Sequence, residues 1–371
     1  MNHPFAENNK LPHRQGDYSR EEVQLANRNS GIALELLTHD VTPPGMHYLL
    51  NHFDIPVLDE ATWTLPITGL VNTPLSLPLH RLQQFPKFLK TVTMECAGNG
   101  RAGFEHRKPS MPWQVEAVGT AAWTGARLMD VLEEAGVQEE AVEVVFTGAD
   151  RGFDAGVDHH FARSLSREQA HDQDVLLAYE MNDQPLPIQH GAPLRVIVPG
   201  WFGMGNVKWL TSIEAIDRPF EGHQQAANYH YKTTPDDPGI PVTHLRVKSL
   251  MAPPGVPDWY TRRRFVEPGQ VRLTGRAWSG NGVPVEKVEV GIDGKWHPTQ
   301  IRRHESRYAW SQWNFEWEAE PGEHLLSCRA TDAEGNMQPD APVWDQSGFG
   351  NNSIHTLQVT VGNRKSEIAN A

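Results

Sequence analysis

Residues 91–101 read T-V-T-M-E-C-A-G-N-G-R, and the two parts of this stretch obey different rules. Thr91, Val92, Thr93 and Met94 are β-branched or apolar and predict a strand. At Cys96 the pattern breaks into Ala97, Gly98, Asn99 and Gly100, the composition of a turn. A rigid strand that ends in a small-residue loop is where a fold can bring backbone close to a ligand. A thiol there has three possible jobs: metal ligand, nucleophile or buried filler. The glycines leave room for something bulky, and Arg101 favours the thiolate over the thiol.

Upstream of this loop, Trp63, Leu65 and Ile67 alternate and predict a strand over 63–69. Downstream, Leu128, Val131, Leu132 and Ala135 recur at helical spacing, with Gly136 placed to end the helix in a left-handed conformation. Residues 142–147 form an apolar strand expected to deliver Gly148, Ala149 and Asp150 into a loop. A second dense region spans 184–210. Its apolar runs 194–198 and 207–213 predict two strands around a loop carrying Gly200, Gly203 and Gly205. Such a loop can cradle an anion with its amides, although it fits neither the dinucleotide fingerprint nor the P-loop. His190, Arg195 and Lys208 bracket it, and three cationic or cation-capable side chains at adjacent strand mouths indicate an anion site.

Prolines 235, 238, 241, 253, 254 and 257 mark 233–258 as a linker without regular structure. Beyond it the pattern is all-β. Val271, Leu273, Gly275 and Ala277 alternate, as do Val288, Val290 and Ile292, followed by an Asp293-Gly294 type I′ turn. Trp313, Phe315 and Trp317 share the next strand face, Pro321-Gly322 turns the chain, Leu326, Cys328 and Ala330 share another face, and Leu357, Val359 and Val361 close the series. Short strands separated by turns predict an immunoglobulin-like sandwich with Cys328 in its core. Trp310, Trp313 and Trp317 read as sandwich core or dimer contact. The expected organisation is an N-terminal arm at 1–40, an α+β domain at 41–235, a proline-rich linker at 236–260 and an all-β domain at 261–371.

A chain of 371 residues exceeds what one core normally serves. Its 46 acidic against 33 basic residues, a formal net charge of −13, argue against nucleic acid and anionic membranes as partners. An anionic ligand therefore needs a local positive cluster. Two cysteines exclude a disulfide scaffold, a zinc ribbon and a c-type haem site. No secretory h-region, twin-arginine pair or membrane-length apolar run is visible, so the expected location is cytoplasmic as written, or periplasmic for a mature form. Asp158-His159-His160 is read as surface rather than as a second metal site, because adjacent histidines need further ligands.

Together, M-E-C-A-G-N-G-R, P-W-Q-V-E-A-V-G-T-A-A-W-T-G-A-R-L, H-G-A-P-L-R-V-I-V-P-G-W-F-G-M-G-N-V-K-W-L, N-Y-H-Y-K-T and W-D-Q-S-G-F-G-N-N-S resemble the sulfite oxidase family. The last of these motifs lies in the region that resembles the family's dimerisation domain. The resemblance implies one molybdenum cofactor, a pyranopterin dithiolene, with Cys96 as the protein's thiolate to the metal. It implies cofactor contacts from Asn51, His52, Asp150, His190, Arg195, Gly203, Asn206 and Lys208. It also implies a substrate pocket of Arg101, Trp113 and Tyr231, with Arg101 balancing oxyanion charge and Tyr231 donating a hydrogen bond. The implied reaction is oxygen-atom transfer to or from sulfite or a related sulfur species. Electrons would pass to a separate carrier such as a cytochrome, and the chain would form a homodimer. Leu50, Gly205 and Ser347 stand where the family carries arginine, which implies a pocket suited to a substrate of weaker charge. Sulfoxide or nitrate reduction on the same cofactor is the alternative. A cysteine hydrolase using Cys96 with His52 or His190, and a non-catalytic binding protein, are the readings without molybdenum.

Overall fold

A computed structural model describes residues 20–43, 45–105 and 109–362. The central stretch is the strand Phe88–Glu95, paired antiparallel with Val118–Arg127 so that Thr93 faces Thr120 and Glu95 faces Val118. Every residue from 91 to 100 is buried. That is why the strand shows no polar alternation: its own domain covers one face and the second domain covers the other. Trp310 of the second domain donates its backbone N–H to Thr93 Oγ1 at 2.7 Å, and Thr93 Oγ1 meets Thr120 Oγ1 at 2.6 Å. Leu176–Met181, Arg195–Ile197 and Gln184–Pro185 complete this sheet.

The other sheet of the N-terminal half runs in the order Leu75–Pro78, Thr64–Gly69, Leu210–Ile216, Glu143–Asp154, Val157–Ser166. Its Thr64–Gly69/Leu210–Ile216 pair is parallel. Trp63, Leu65 and Ile67 point inward as their alternation requires. Among the described residues helices are short. The longest, Leu128–Ala135, buries Leu128, Val131, Leu132 and Ala135 and ends at Gly136 with φ 66°, so the N-terminal half is mostly β.

Three local expectations need correction. Gly148, Ala149 and Asp150 lie in the strand Glu143–Asp154 rather than in a loop. The register slips between Thr147 and Arg151, and this bulge leaves Asp150 buried. The strands at Arg195–Ile197 and Leu210–Ile216 belong to different sheets, although their ends are hydrogen-bonded, Val196 N to Val207 O at 2.9 Å and Leu210 N to Leu194 O at 3.0 Å. The stretch around the prolines is not free of structure either, because Lys248–Met251 is a fully buried strand paired with Gly269–Trp278.

In the C-terminal half, Lys248–Met251, Gly269–Trp278, Ser311–Ala319 and Gln300–Arg302 form one sheet. The second contains Val256–Pro257, Arg264–Val266, His355–Val361, Gly322–Asp332, Val285–Ile292 and Lys295–Pro298. Their shared core takes Leu273, Ala277, Trp313 and Trp317 from one and Val288, Val290, Leu326, Cys328, Ala330 and Val359 from the other. Asp293 and Gly294 both have positive φ, 50° and 82°, as a type I′ turn demands. Cys328 is wholly buried, and burial pushes its thiol up to about 12. Trp310 departs from its neighbours: with Trp278 it joins the core of the N-terminal half, which therefore runs across the boundary between the halves.

The N-terminal arm lies outside the described residues up to 19. From Arg20 onward it is docked rather than extended. Ile32 and Leu37 are buried, Leu37 O accepts from Arg276 Nε at 2.7 Å, and Asp40 pairs with Arg276 at 2.8 Å and with Arg302 at 2.6 Å.

Candidate active site

The loop after Glu95 is held from both sides. Cys96 N donates to Ala117 O at 2.9 Å, and Ala97 O accepts from Gly350 N of the second domain at 2.8 Å. Gly100 O accepts from Asn351 Nδ2 at 2.8 Å. The small residues do make room, but part of that room is taken by the chain itself. A Cβ on Gly98 would lie 2.5 Å from the Arg101 guanidinium, which folds back over the loop. Arg101 is buried, donating Nε to Ser347 O at 2.7 Å and Nη1 to Met111 O at 2.9 Å.

Cys96 lines a cavity together with His47, Tyr48, Leu50, His52, Asp150, His190, Arg195, Gly203, Asn206, Lys208 and Tyr229 among others. Most of the residues expected to grip a cofactor are thus brought together. Asn51 belongs instead to an adjoining funnel with Arg101, Ser347 and Phe349, and Asn51 Oδ1 accepts from Lys208 Nζ at 2.5 Å. Asn206 lines the cavity, but its amide is turned onto its own loop, accepting from Val198 N at 2.8 Å and donating to Phe202 O at 3.2 Å. Trp113 lines neither space; it is buried beside Cys96. Tyr231 also lines neither: its ring stacks under Arg246 at 4.3 Å and its hydroxyl lies against Gly350. The tyrosine at both spaces is Tyr229, with His47, Tyr48, Met94 and Phe161 the other lining side chains that sequence reasoning left without a role. Met94 and Tyr229 lie inside the motifs M-E-C-A-G-N-G-R and N-Y-H-Y-K-T, whereas no periodicity or motif marks His47, Tyr48 and Phe161, which arrive from other segments.

Electrostatics identify what the cavity is built to hold. Arg195 donates Nη1 to His190 O at 2.9 Å and Nη2 to Asn206 O at 3.1 Å, leaving its buried Nε without a partner. Lys208 Nζ meets Leu50 O, Asn51 Oδ1 and Gln189 O. Both cations are thus hydrogen-bonded to neutral acceptors, the oxygens above and, for Arg195 Nη2, Met94 Sδ at 3.7 Å. Burial pulls Arg195 down to about 10 and Lys208 well below its ordinary range, a desolvation that an anion in the cavity would offset. His47 Nε2 is likewise buried and unpartnered. Burial holds His47 and His52 down at about 4 and His190 at about 2, so all three are neutral hydrogen-bonding groups at neutral pH. The same desolvation lifts Asp150 to about 6. A Cβ on Gly203 would come within 2.4 Å of the Tyr48 hydroxyl, so the loop backbone must stay bare. An anionic, hydrogen-bonding ligand with a metal end near sulfur fits this donor set; a purely apolar ligand does not.

The Cys96 thiol does not follow the sequence expectation. Arg101, the Gly98 N–H and Trp113 all favour the thiolate, yet burial outweighs them and pushes the thiol up. Without a metal this cysteine is a poor nucleophile.

Depressed buried histidines have a consequence for stability. His47, His52 and His355 are each held at about 4 in the fold, against about 6.5 in an unfolded chain. Their contribution is complete above the unfolded value and is lost as pH falls towards 4, because the unfolded chain then takes up protons that the fold refuses. Each costs about 1.4 kcal/mol per pH unit. Urea unfolding of the cofactor-free protein is expected to show a clearly lower midpoint at pH 5 than at pH 7. An unchanged midpoint would contradict the burial of these rings.

Residues 52–224 match the family described as oxidoreductase molybdopterin binding domain, and residues 241–362 match the Mo-co oxidoreductase dimerisation domain. The chain is 36% identical over 350 residues to mitochondrial sulfite oxidase of Homo sapiens, covering 88% of this chain and 63% of that protein. It is 31% identical over 373 residues to sulfite oxidase of Arabidopsis thaliana, covering 88% of this chain and 90% of that protein. Its fold matches the sulfane dehydrogenase SoxCD from Paracoccus pantotrophus with a TM-score of 0.77 at 28% identity, over 89% of this chain and 84% of that one. It spans a little under two thirds of the length of the human relative.

Proposed function

From a chain that belongs to the sulfite oxidase family of molybdopterin-dependent oxidoreductases, we infer an enzyme that oxidises a small sulfur species, sulfite or one of lower charge. The observation that carries this reading is the cavity in which Cys96 faces the partner-less Arg195 Nε and buried Lys208. In this reading Cys96 supplies sulfur to the metal, and Arg195 and Lys208 hold the anionic tail of the pterin, one as a fork and the other as a point charge. The bound cofactor supplies the two-electron chemistry. The chain's own part is to orient substrate and exclude water, with Arg101 at the funnel wall favouring an anionic oxygen.

The relatives' substrates, sulfite and, by name, a sulfane, support a sulfur substrate. The charge of that substrate is argued from this chain. Leu50 lines both cavity and funnel, Ser347 lines the funnel, and a Cβ on Gly205 would already be 3.0 Å from the Trp201 ring. Three positions expected to be arginine therefore add no cation, and each missing charge-assisted contact is worth about 1.5–3 kcal/mol. Steady-state kinetics on the molybdenum-loaded protein are expected to give a sulfite KM of hundreds of micromolar or more; a low-micromolar value would refute the lower-charge substrate. Electrons leave to a separate one-electron carrier, and the second domain is an immunoglobulin-like sandwich that pairs two copies. The dimerisation-domain match supports that pairing, and sedimentation showing a monomer at micromolar concentration would contradict it. No helix among the described residues is long and apolar enough to cross a membrane.

A further inference from the structure

The funnel meets the cavity at a neck that both spaces line, formed by Leu50, His52, Cys96 and Tyr229. It is the roomier of the two, and its walls differ in kind. Leu25, Leu50, Phe53, Met111, Phe153 and Phe349 all line it. Phe349 stacks on Tyr229 at 5.0 Å and 19°, with the Arg101 guanidinium 5.4 Å from its ring centre. Phe53 stands edge-on to His159 at 5.3 Å. Phe153 is 75% exposed and extends the apolar surface towards solvent. Apolar walls around a few placed polar groups suit a ligand that itself has an apolar part.

The charges point the same way. Apart from histidines, the described residues of the funnel carry one cation, Arg101, and one carboxylate, Asp154. Asp154 Oδ2 accepts from Gln224 Nε2 at 3.1 Å and Asn228 Nδ2 at 3.3 Å, and meets His223 Nε2 at 3.3 Å. A doubly charged oxyanion would therefore find a single guanidinium, with a carboxylate in the same space. A wholly neutral ligand would leave Arg101 on the carbonyls of Ser347 and Met111. One negative charge on an apolar body answers both features.

We propose that the substrate class is the organic sulfinate, R–SO2⁻ with an apolar R, its sulfur head at the neck and its R group against the funnel wall. The inference rests on the oxidoreductase reading above and deepens it. A sulfinate keeps the sulfur lone pair of sulfite, but carries one charge in place of two and a carbon substituent in place of one oxygen. The lone pair becomes the new S–O bond of a sulfonate, R–SO3⁻. The oxygen is drawn from water, whose two protons are released, and two electrons leave to two equivalents of a one-electron acceptor. Leu50, where the resemblance expects arginine, then covers R instead of pairing with a second charge.

The test uses the molybdenum-loaded full chain, with benzenesulfinate and sulfite as turnover probes and ferricyanide as the acceptor. Benzenesulfonate and inorganic sulfate serve as binding probes in calorimetry. Benzenesulfinate is expected to give a kcat/KM about tenfold or more above that of sulfite, with one benzenesulfonate formed per two ferricyanides reduced. Benzenesulfonate is expected to bind about tenfold or more tighter than sulfate. Because Phe153 is exposed, Phe153→Ser spares the core; it is expected to cut the benzenesulfinate-to-sulfite ratio about threefold or more. Leu50→Arg is expected to move that ratio about tenfold or more towards sulfite. A parent that prefers sulfite, or two variants that both hold the ratio within twofold, overturns the sulfinate proposal and leaves the sulfur oxidoreductase standing. Turnover of neither probe at full molybdenum content overturns both. If Leu50→Arg loses its molybdenum, Phe153→Ser and calorimetry decide: benzenesulfonate binding within twofold of sulfate overturns the proposal, and a tenfold preference that Phe153→Ser weakens sustains it.

Discussion

Lys248→Met is expected to destabilise the folded protein by about 3–5 kcal/mol, more than most single substitutions do. Lys248 and Glu95 are each almost wholly buried, and their side chains meet at 2.8 Å. Lys248 Nζ also donates to Asn351 O at 2.8 Å. Glu95 accepts from Trp278 Nε1 at 2.9 Å and from Asn99 Nδ2 at 3.0 Å, so its carboxylate is saturated by donors from both domains. Removing the ammonium leaves a carboxylate in a low-dielectric interior without its counter-charge, and that uncompensated ion is the source of the loss. The double variant Glu95→Gln with Lys248→Met removes both charges and keeps one amide oxygen, enough for the Trp278 or the Asn99 hydrogen bond but not both, since they now use different carboxylate oxygens. It is expected to recover part of the lost stability. Urea midpoints at constant m-value measure both effects, and a single variant within 1 kcal/mol of the parent would mean that the pair is solvated in solution. Because Glu95 precedes Cys96 directly, this ion pair also ties the cysteine strand to the second domain.

The second large effect concerns the cofactor. Arg195→Met combined with Lys208→Met removes the two buried cations that face the cavity. At about 1.5–3 kcal/mol per charge-assisted contact, the pair is worth roughly a hundredfold to ten-thousandfold in cofactor affinity. Metal and pterin analysis of the purified variant is expected to find little of either. The cofactor-free fold should move the other way. Desolvation strains both cations when no anion answers them, so the cofactor-free variant is expected to melt no lower than the cofactor-free parent. Stoichiometric molybdenum in the double variant would show that the cavity does not hold the pterin tail.

Much of this site was legible in the chain before any coordinates. The turn after Met94, the helix from Leu128 and the hairpin at Asp293-Gly294 follow from local residue preferences, and the structure reproduces them. His190, Arg195 and Lys208 were readable as one cluster because they lie close in sequence, and they do meet in space. What failed was neighbourhood. The flanking runs do touch, through Val196–Val207 and Leu210–Leu194 hydrogen bonds, yet their strands continue into different sheets. Asp150 was placed in a loop, yet a bulge inside a continuous strand delivers it. Motif order points to Tyr231 for the pocket, whereas Tyr229, two residues upstream with φ 54°, is the tyrosine that lines both cavity and funnel.

Residue type alone determined the thiol at a strand end, the basic trio, the all-β second half and the family those patterns announce. These are short-range properties, set by side-chain chemistry and by spacings of a few residues. Only the tertiary structure decided which tyrosine lines both cavity and funnel, that burial overrides Arg101 at Cys96, and that Lys248 answers Glu95 across 153 positions. Those outcomes depend on desolvation and on contacts between distant segments, and both come into existence only when the two halves close over the cysteine strand.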